Sequence, residues 1–251
     1  MDTERVKLYF ERIGLAIPDT IVPDGALLKK LVFHQLLSIP YENTQFLTGE
    51  IVPCEPDALF KNIVIEKKGG ICHDIAGLFG WFLSELGYKV RQMGTLSFLE
   101  KIGRHVHKTL IVTDCEGKEW LAEIGYGAFS NLNEPLPFTP NVDLVCGKET
   151  FRFEERDGMT CLIGPTEAAS FKMAFPDISN QISTKIKEST IAGEDPQWVP
   201  KRNFTIGTPE GRRILSGNTY KEYFGDTVYV YTVTKDTLPW AYAQFGLTCE
   251  E

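Results

Sequence analysis

Long apolar runs are missing from this sequence. No window approaches the roughly 18 uninterrupted apolar residues that a membrane-spanning helix requires. Positive charge is in deficit, with 26 Lys and Arg against 34 Asp and Glu and a net charge of −8. A general nucleic-acid binder shows the opposite balance, so neither a nucleic-acid nor a membrane partner is expected. CxxC pairs are absent, which argues against a zinc knuckle. Six cysteines (Cys54, Cys72, Cys115, Cys146, Cys161 and Cys249) are scattered along the chain. The opening residues MDTERVKLYFERIG are charged and mixed, unlike a signal peptide, so a cytoplasmic location with free thiols is the expectation. Histidine is scarce: four residues, His34, His73, His105 and His107, make a short list of candidate bases. Internal repeats and low-complexity segments are lacking too.

What is present is an ordinary globular balance, 43% hydrophobic and 24% charged, enough for a substantial core. Residues 1–87 read mainly as helix. Asp24 is placed to cap a helix carrying Leu27, Leu28, Leu31 and Leu36. A second helical stretch runs from about Asp57 to Ile65. In the third, Ile75, Leu78, Phe79, Phe82, Leu83 and Leu86 form an apolar stripe at helical spacing from Cys72, with Gly87 as its left-handed stop. From Tyr88 the pattern turns to strands. Thr109–Thr113 and Trp120–Ile124 flank a turn at Asp114–Lys118, and a second turn at Arg156-Asp157-Gly158 separates two more strands. Residues 131–140, with three prolines, read as an exposed loop. Thr227–Val233 is a β-branched and aromatic strand.

The chemistry concentrates at Lys68-Gly69-Gly70-Ile71-Cys72-His73-Asp74. A thiol in the first turn of a helix meets unpaired N–H groups and the positive end of the helix dipole, both of which favour thiolate. The two glycines leave room for a substrate to approach. A cysteine that merely packs as a small apolar residue is the competing reading. His105 and His107 precede an apolar strand and share one face if the strand extends that far. Either could serve as base, and with Cys72 and Glu123 they could also ligate zinc. Glu123 is an acid inside an apolar strand, suited to orient an imidazole, although a one-residue slip would turn it away. Basic clusters at Lys67-Lys68, Lys101 with Arg104 and Lys108, Lys201-Arg202 and Arg212-Arg213 could meet an anionic ligand.

These residues, in this order, resemble the arylamine N-acetyltransferases. The likeness starts at Tyr9-Phe10-Glu11-Arg12-Ile13-Gly14 and continues through Pro40-Tyr41-Glu42-Asn43 and Gly69-Gly70-Ile71-Cys72. It then runs through His107 with Leu110-Ile111-Val112, and on through Glu123-Ile124-Gly125-Tyr126-Gly127 to Thr208-Pro209-Glu210-Gly211. The resemblance implies an α+β fold. Its parts are an N-terminal helical bundle (1–87), a central β-barrel-like lobe (88–185) and a small α/β lid (186–251). It further implies a papain-like triad of Cys72, His107 and Glu123, selecting His107 over His105. Acetyl-coenzyme A is the implied donor and a small aromatic amine or hydrazine the acceptor, with no metal. Thr208, Gly127 and Gly103 are the implied coenzyme A contacts, and Tyr126 and Val106 the implied substrate contacts. Three positions depart from the family pattern: Lys68 where arginine is usual, His73-Asp74 where an aromatic and glutamate are usual, and Glu123 where aspartate is usual. A glutamate is one methylene longer, so it either displaces the imidazole or requires the backbone to retreat. A cysteine hydrolase, a zinc protein and an inactive coenzyme A-binding relative remain alternatives.

Overall fold

The computed structural model describes residues 2–98, 106–126, 132–166, 169–192 and 201–249. Helix α1 (Thr3–Arg12) leads into α2 (Gly25–Ser38), which starts where the Asp24 carboxylate accepts from Leu27 N at 2.7 Å. Short helices α3 (Thr44–Thr48) and α4 (Pro56–Phe60) follow, and a π-helical turn (Lys61–Ile65) extends α4. The expected helix from Asp57 to Ile65 therefore exists but changes its hydrogen-bond period midway. Helix α5 (Cys72–Glu85) begins at the residue the sequence indicated, and Gly87 beyond its end adopts φ +98°. Tyr9 stacks on Phe82 with ring centroids 4.0 Å apart, locking α1 onto α5.

Eight strands follow: β1 (Lys89–Ser97), β2 (His107–Thr113), β3 (Glu119–Ala122), β4 (Leu136–Pro137), β5 (Asp143–Cys146), β6 (Glu149–Arg156), β7 (Met159–Ile163) and β8 (Phe171–Phe175). They form one antiparallel sheet in the order β4-β3-β2-β1-β8-β7-β6-β5, curled into a nearly closed barrel. Strand β2 is buried on both faces. Leu110 and Val112 pack against the helices, whereas Ile111 faces the barrel interior with Phe151, Phe153 and Phe171. That double burial explains why its sequence is a continuous apolar run rather than an alternating one. The proline-bearing segment 132–140 is not the exposed loop its composition predicts. Leu132 and Leu136 are 3% and 2% exposed and belong to the barrel core, and Leu136–Pro137 pairs with β3. The prolines disguised a short edge strand, where a missing N–H is tolerated.

Helix α6 (Asn180–Ile191) then packs on α5. The chain ends in a four-stranded antiparallel meander of β9 (Asn203–Thr208), β10 (Gly211–Ser216), β11 (Thr219–Phe224) and β12 (Thr227–Thr232), closed by α7 (Leu238–Ala243). Phe204, Leu215, Tyr220, Val233, Tyr242 and Phe245 give this lobe its own core. The expected division at 87/88 falls between α5 and β1, and that at 185/186 falls inside α6. No helix among the described residues is long and apolar enough to cross a membrane.

Candidate active site

Residues 40–43 join the lobes around Cys72. Tyr41 exchanges both backbone hydrogen bonds with Thr205 of β9, each 2.9 Å, and Glu42 N donates to Gly70 O at 3.0 Å. The Asn43 side chain donates to Lys201 O and accepts from Asn203 N, both at 2.8 Å. Arg12 fixes the same region from below. Its guanidinium donates to Ile63 O (2.8 Å), Ser38 O (2.5 Å) and Lys68 O (3.2 Å). Two of the motifs that carry the resemblance thus hold the strap leading into α5. The double glycine serves the same packing. A Cβ on Gly69 would lie 2.2 Å from Pro40 O, and one on Gly70 would lie 2.6 Å from Asp74 Cβ. Room for a substrate is therefore not what the two glycines supply; the missing side chains are replaced by the protein's own strap and helix.

Cys72 is half-buried at the first position of α5. The face question left open by the sequence is resolved by the register of β2 and β3, in which Ile111 opposes Leu121. Alternation then puts His107, two rungs from Thr109, on the barrel-facing side together with Glu123. Both carboxylate oxygens of Glu123 lie 3.0 Å from His107 Nε2, and Oε1 also accepts from Tyr126 N at 3.1 Å. The imidazole in turn hydrogen-bonds Cys72, for which Nδ1 is the nitrogen left over. Tyr126 stacks on the ring at 3.7 Å, nearly parallel. Gly125 makes the approach possible: a Cβ there would meet Lys108 O at 2.5 Å, His107 Cε1 at 2.7 Å and Cys72 Cβ at 3.0 Å.

His107 is 7% exposed and Glu123 2%. Burial opposes charging the imidazole, but the Glu123 carboxylate and the bonds to Cys72 and Glu123 outweigh it and push the pKa up to about 10. A thiol facing a strongly basic, carboxylate-held imidazole is the arrangement that activates sulfur as a nucleophile. The extra methylene of glutamate is accommodated without displacing the ring from the carboxylate.

His73, adjacent to the sulfur in sequence, has a different place. Its Nε2 meets Val106 O at 2.9 Å, and burial together with the nearby Lys108 ammonium pushes its pKa down to about 3. It is a neutral strut between α5 and the start of β2. His34 pegs α2 to Ile13 O at 3.2 Å.

A family model described as N-acetyltransferase matches residues 26–250. This chain belongs to the arylamine N-acetyltransferase family. Mouse arylamine N-acetyltransferase 2 is 30% identical over 157 residues, 61% of this chain and 53% of the mouse protein. The chain thus matches about half the length of its curated relatives. The fold agrees with the Salmonella typhimurium arylamine N-acetyltransferase, with a TM-score of 0.86 at 20% identity over 97% of this chain and 91% of that one. It agrees also with a Bacillus cereus family member (TM-score 0.83, 17% identity, 98% and 99% covered), which is described as having a unique Cys-His-Glu catalytic triad.

Not every residue singled out from the arylamine N-acetyltransferase resemblance joins this cluster. Val106 offers its carbonyl to His73, as above. Thr208 lies at the far end of β9, paired across its hairpin with Gly211, outside the group formed by Cys72, His107, Glu123 and Tyr126. Gly103, Gly127 and His105 fall outside the described residues, as do Lys101 and Arg104. Among the described residues no three His, Cys, Asp or Glu side chains cluster as a metal site would need. The basic clusters separate sharply. Lys67-Lys68 and Lys201-Arg202 line one groove of about 1020 Å³ between the helical bundle and the last lobe. Arg213 pairs with Glu222 at 2.9 Å, and Arg212 stacks on Tyr223. Lys108, against expectation, is fully buried and donates to Ser183 Oγ at 2.9 Å, so it meets no ligand from solvent.

A buried polar network under Cys72 was not visible in the sequence. Asp74 accepts from Ile71 N (3.1 Å), Gln45 Nε2 (2.6 Å) and Lys187 Nζ (2.5 Å), and both members of the Lys187 pair are completely buried. The His73-Asp74 departure from the family pattern therefore has a local solution: one residue braces the barrel, and the other caps α5 while neutralising a lysine from α6.

Proposed function

We propose that the chain is an arylamine N-acetyltransferase that carries the acetyl group on Cys72. The observation supporting this reading is the hydrogen-bonded line Cys72–His107–Glu123 at the mouth of α5. The Cys72 sulfur attacks the carbonyl carbon of acetyl-coenzyme A, forming a new C–S bond. The old C–S bond breaks as the coenzyme A sulfur leaves with the proton held by His107. The amine nitrogen then attacks the Cys72 thioester. His107 takes the proton from that nitrogen, the C–S bond breaks, and the acetylated amine departs with the sulfur regenerated. Glu123 keeps the imidazole oriented and stabilises its charged form throughout. Backbone N–H groups near the start of α5 are suited to hold the developing oxyanion. The Cys-His-Glu set described for the Bacillus cereus relative supports a working triad despite the missing aspartate. In this reading Tyr126 and Val106 border the acceptor, and Thr208, Gly127 and Gly103 serve coenzyme A.

The test mixes the protein with acetyl-coenzyme A and an aniline or aryl hydrazine while free thiol is followed. Thiol release that continues only when amine is present supports the transferase. Sustained release without acceptor would instead make the chain a thioester hydrolase.

A further inference from the structure

The outer edge of β12 stands apart from the rest of the surface. All six residues, Thr227-Val228-Tyr229-Val230-Tyr231-Thr232, are exposed, and β12 is the end strand of its sheet. Val230 is 60% exposed, Tyr229 50%, Tyr231 47% and Val228 45%. Natural sheets protect such an edge with lysine, proline, a bulge or a covering segment. Here the strand holds no charge and no proline, its pairing with β11 is regular throughout, and among the described residues nothing pairs with its other side. An open edge of this composition is a template for another strand.

We propose that the occupant is a second copy of this chain, joined by antiparallel pairing of β12 with β12 about a two-fold axis at Val230. The backbone dictates the register. Val233 N donates inward to Asn218 O. By antiparallel alternation Thr227, Tyr229 and Tyr231 also turn their N–H and C=O toward β11, and Val228, Val230 and Thr232 turn theirs outward. Only outward-facing residues can bond across the new edge, so each must meet another of that set. Centring on Val230 satisfies all of them: Val230 meets Val230 of the second copy, and Val228 meets Thr232, forming about six main-chain hydrogen bonds. The side chains then match as well. β-Branched residues oppose one another on one face, and on the other Tyr229 lies opposite Tyr231 twice, both favourable cross-strand pairs. No charged residue lies within either paired strand, so no like charges meet across the new edge.

The area is adequate. Tyr229, Tyr231 and the neighbouring Trp240, 45% exposed and 6.1 Å from the Tyr231 ring, are each about half available. At about 150–250 Å² per aromatic, with the valines and main chain added, the two copies bury on the order of 1,000 Å². That is about the lower limit for a specific interface, so micromolar self-association is expected.

Sedimentation velocity on the full chain from about 1 to about 200 µM spans that range. The expected result is a concentration-dependent dimer that Val230→Lys abolishes, because two ammonium groups would face each other at the axis, and that Val230→Thr preserves. A chain monomeric at the top concentration, or a dimer untouched by Val230→Lys, overturns the proposal. Amide exchange on the unsubstituted protein gives a test free of folding effects. Val228, Val230 and Thr232 should gain protection as concentration rises while Tyr229 and Tyr231 stay constant; equal behaviour of the two sets contradicts the register.

Discussion

Replacing Glu123 by aspartate shortens the side chain by one carbon–carbon bond, about 1.5 Å. Both oxygens now stand 3.0 Å from His107 Nε2, so the shorter acid sits near 4.5 Å, outside hydrogen-bonding range. With an effective dielectric constant of about 20, that separation weakens the charge attraction by about 2 kcal/mol. A loss of that size lowers the His107 pKa from about 10 toward the ordinary histidine value. The loosened ring also loses its orientation, and together the two effects slow acetyl-enzyme formation by about 10- to 100-fold. Quench-flow with intact-mass detection, run across pH, reads both quantities. The expected result is a slower reaction at neutral pH and an alkaline limb displaced downward by about one unit. An aspartate variant with unchanged rate and unchanged limb would refute the reasoning, since it would show that the carboxylate distance does not govern the imidazole.

Gly125→Ala places a methyl group against His107 and Cys72 and should reduce acetylation by about 100-fold or more, checked by single-turnover kinetics. Lys187→Met strands the fully buried Asp74 carboxylate, which should cost about 3–5 kcal/mol in urea unfolding. Adding Asp74→Asn should recover part of that loss. His73 has a depressed pKa, so its stabilising contribution is present above about pH 6.5 and lost as pH falls toward about 3. Unfolding at pH 7.5 and 5 should therefore show an acid loss of about 2 kcal/mol that His73→Asn reduces. His107 behaves oppositely: its raised pKa gives stability that is full below about pH 6.5 and lost as pH rises through about 10, a slope that His107→Gln should remove.

Local features are legible in the sequence alone. The Asp24 cap, the apolar stripe from Cys72 and the Gly87 stop follow from periodicity and capping chemistry alone, because each depends on residues within a turn or two. The sequence narrows the pairing of His107 with Glu123 without determining it, since the pairing turns on strand register, which a one-residue slip reverses. Lys108 illustrates a harder limit. A lysine flanking an apolar strand reads as a cation available to an anionic ligand, yet β2 is covered on both faces and the ammonium ends on Ser183, 75 residues away. The Lys187–Asp74 pair spans 113 residues and joins two helices whose contact no local pattern encodes. Arg12 is similar: its carbonyl partners come from three separate segments.

Intact-mass spectrometry after brief exposure to acetyl-coenzyme A without amine tests most directly whether Cys72 carries the acetyl group. One acetyl adduct, mapped to the Cys72 peptide, absent in Cys72→Ser and discharged on adding an aryl amine, is the expected result. No adduct on the unsubstituted protein, or an adduct that survives in Cys72→Ser, would contradict it.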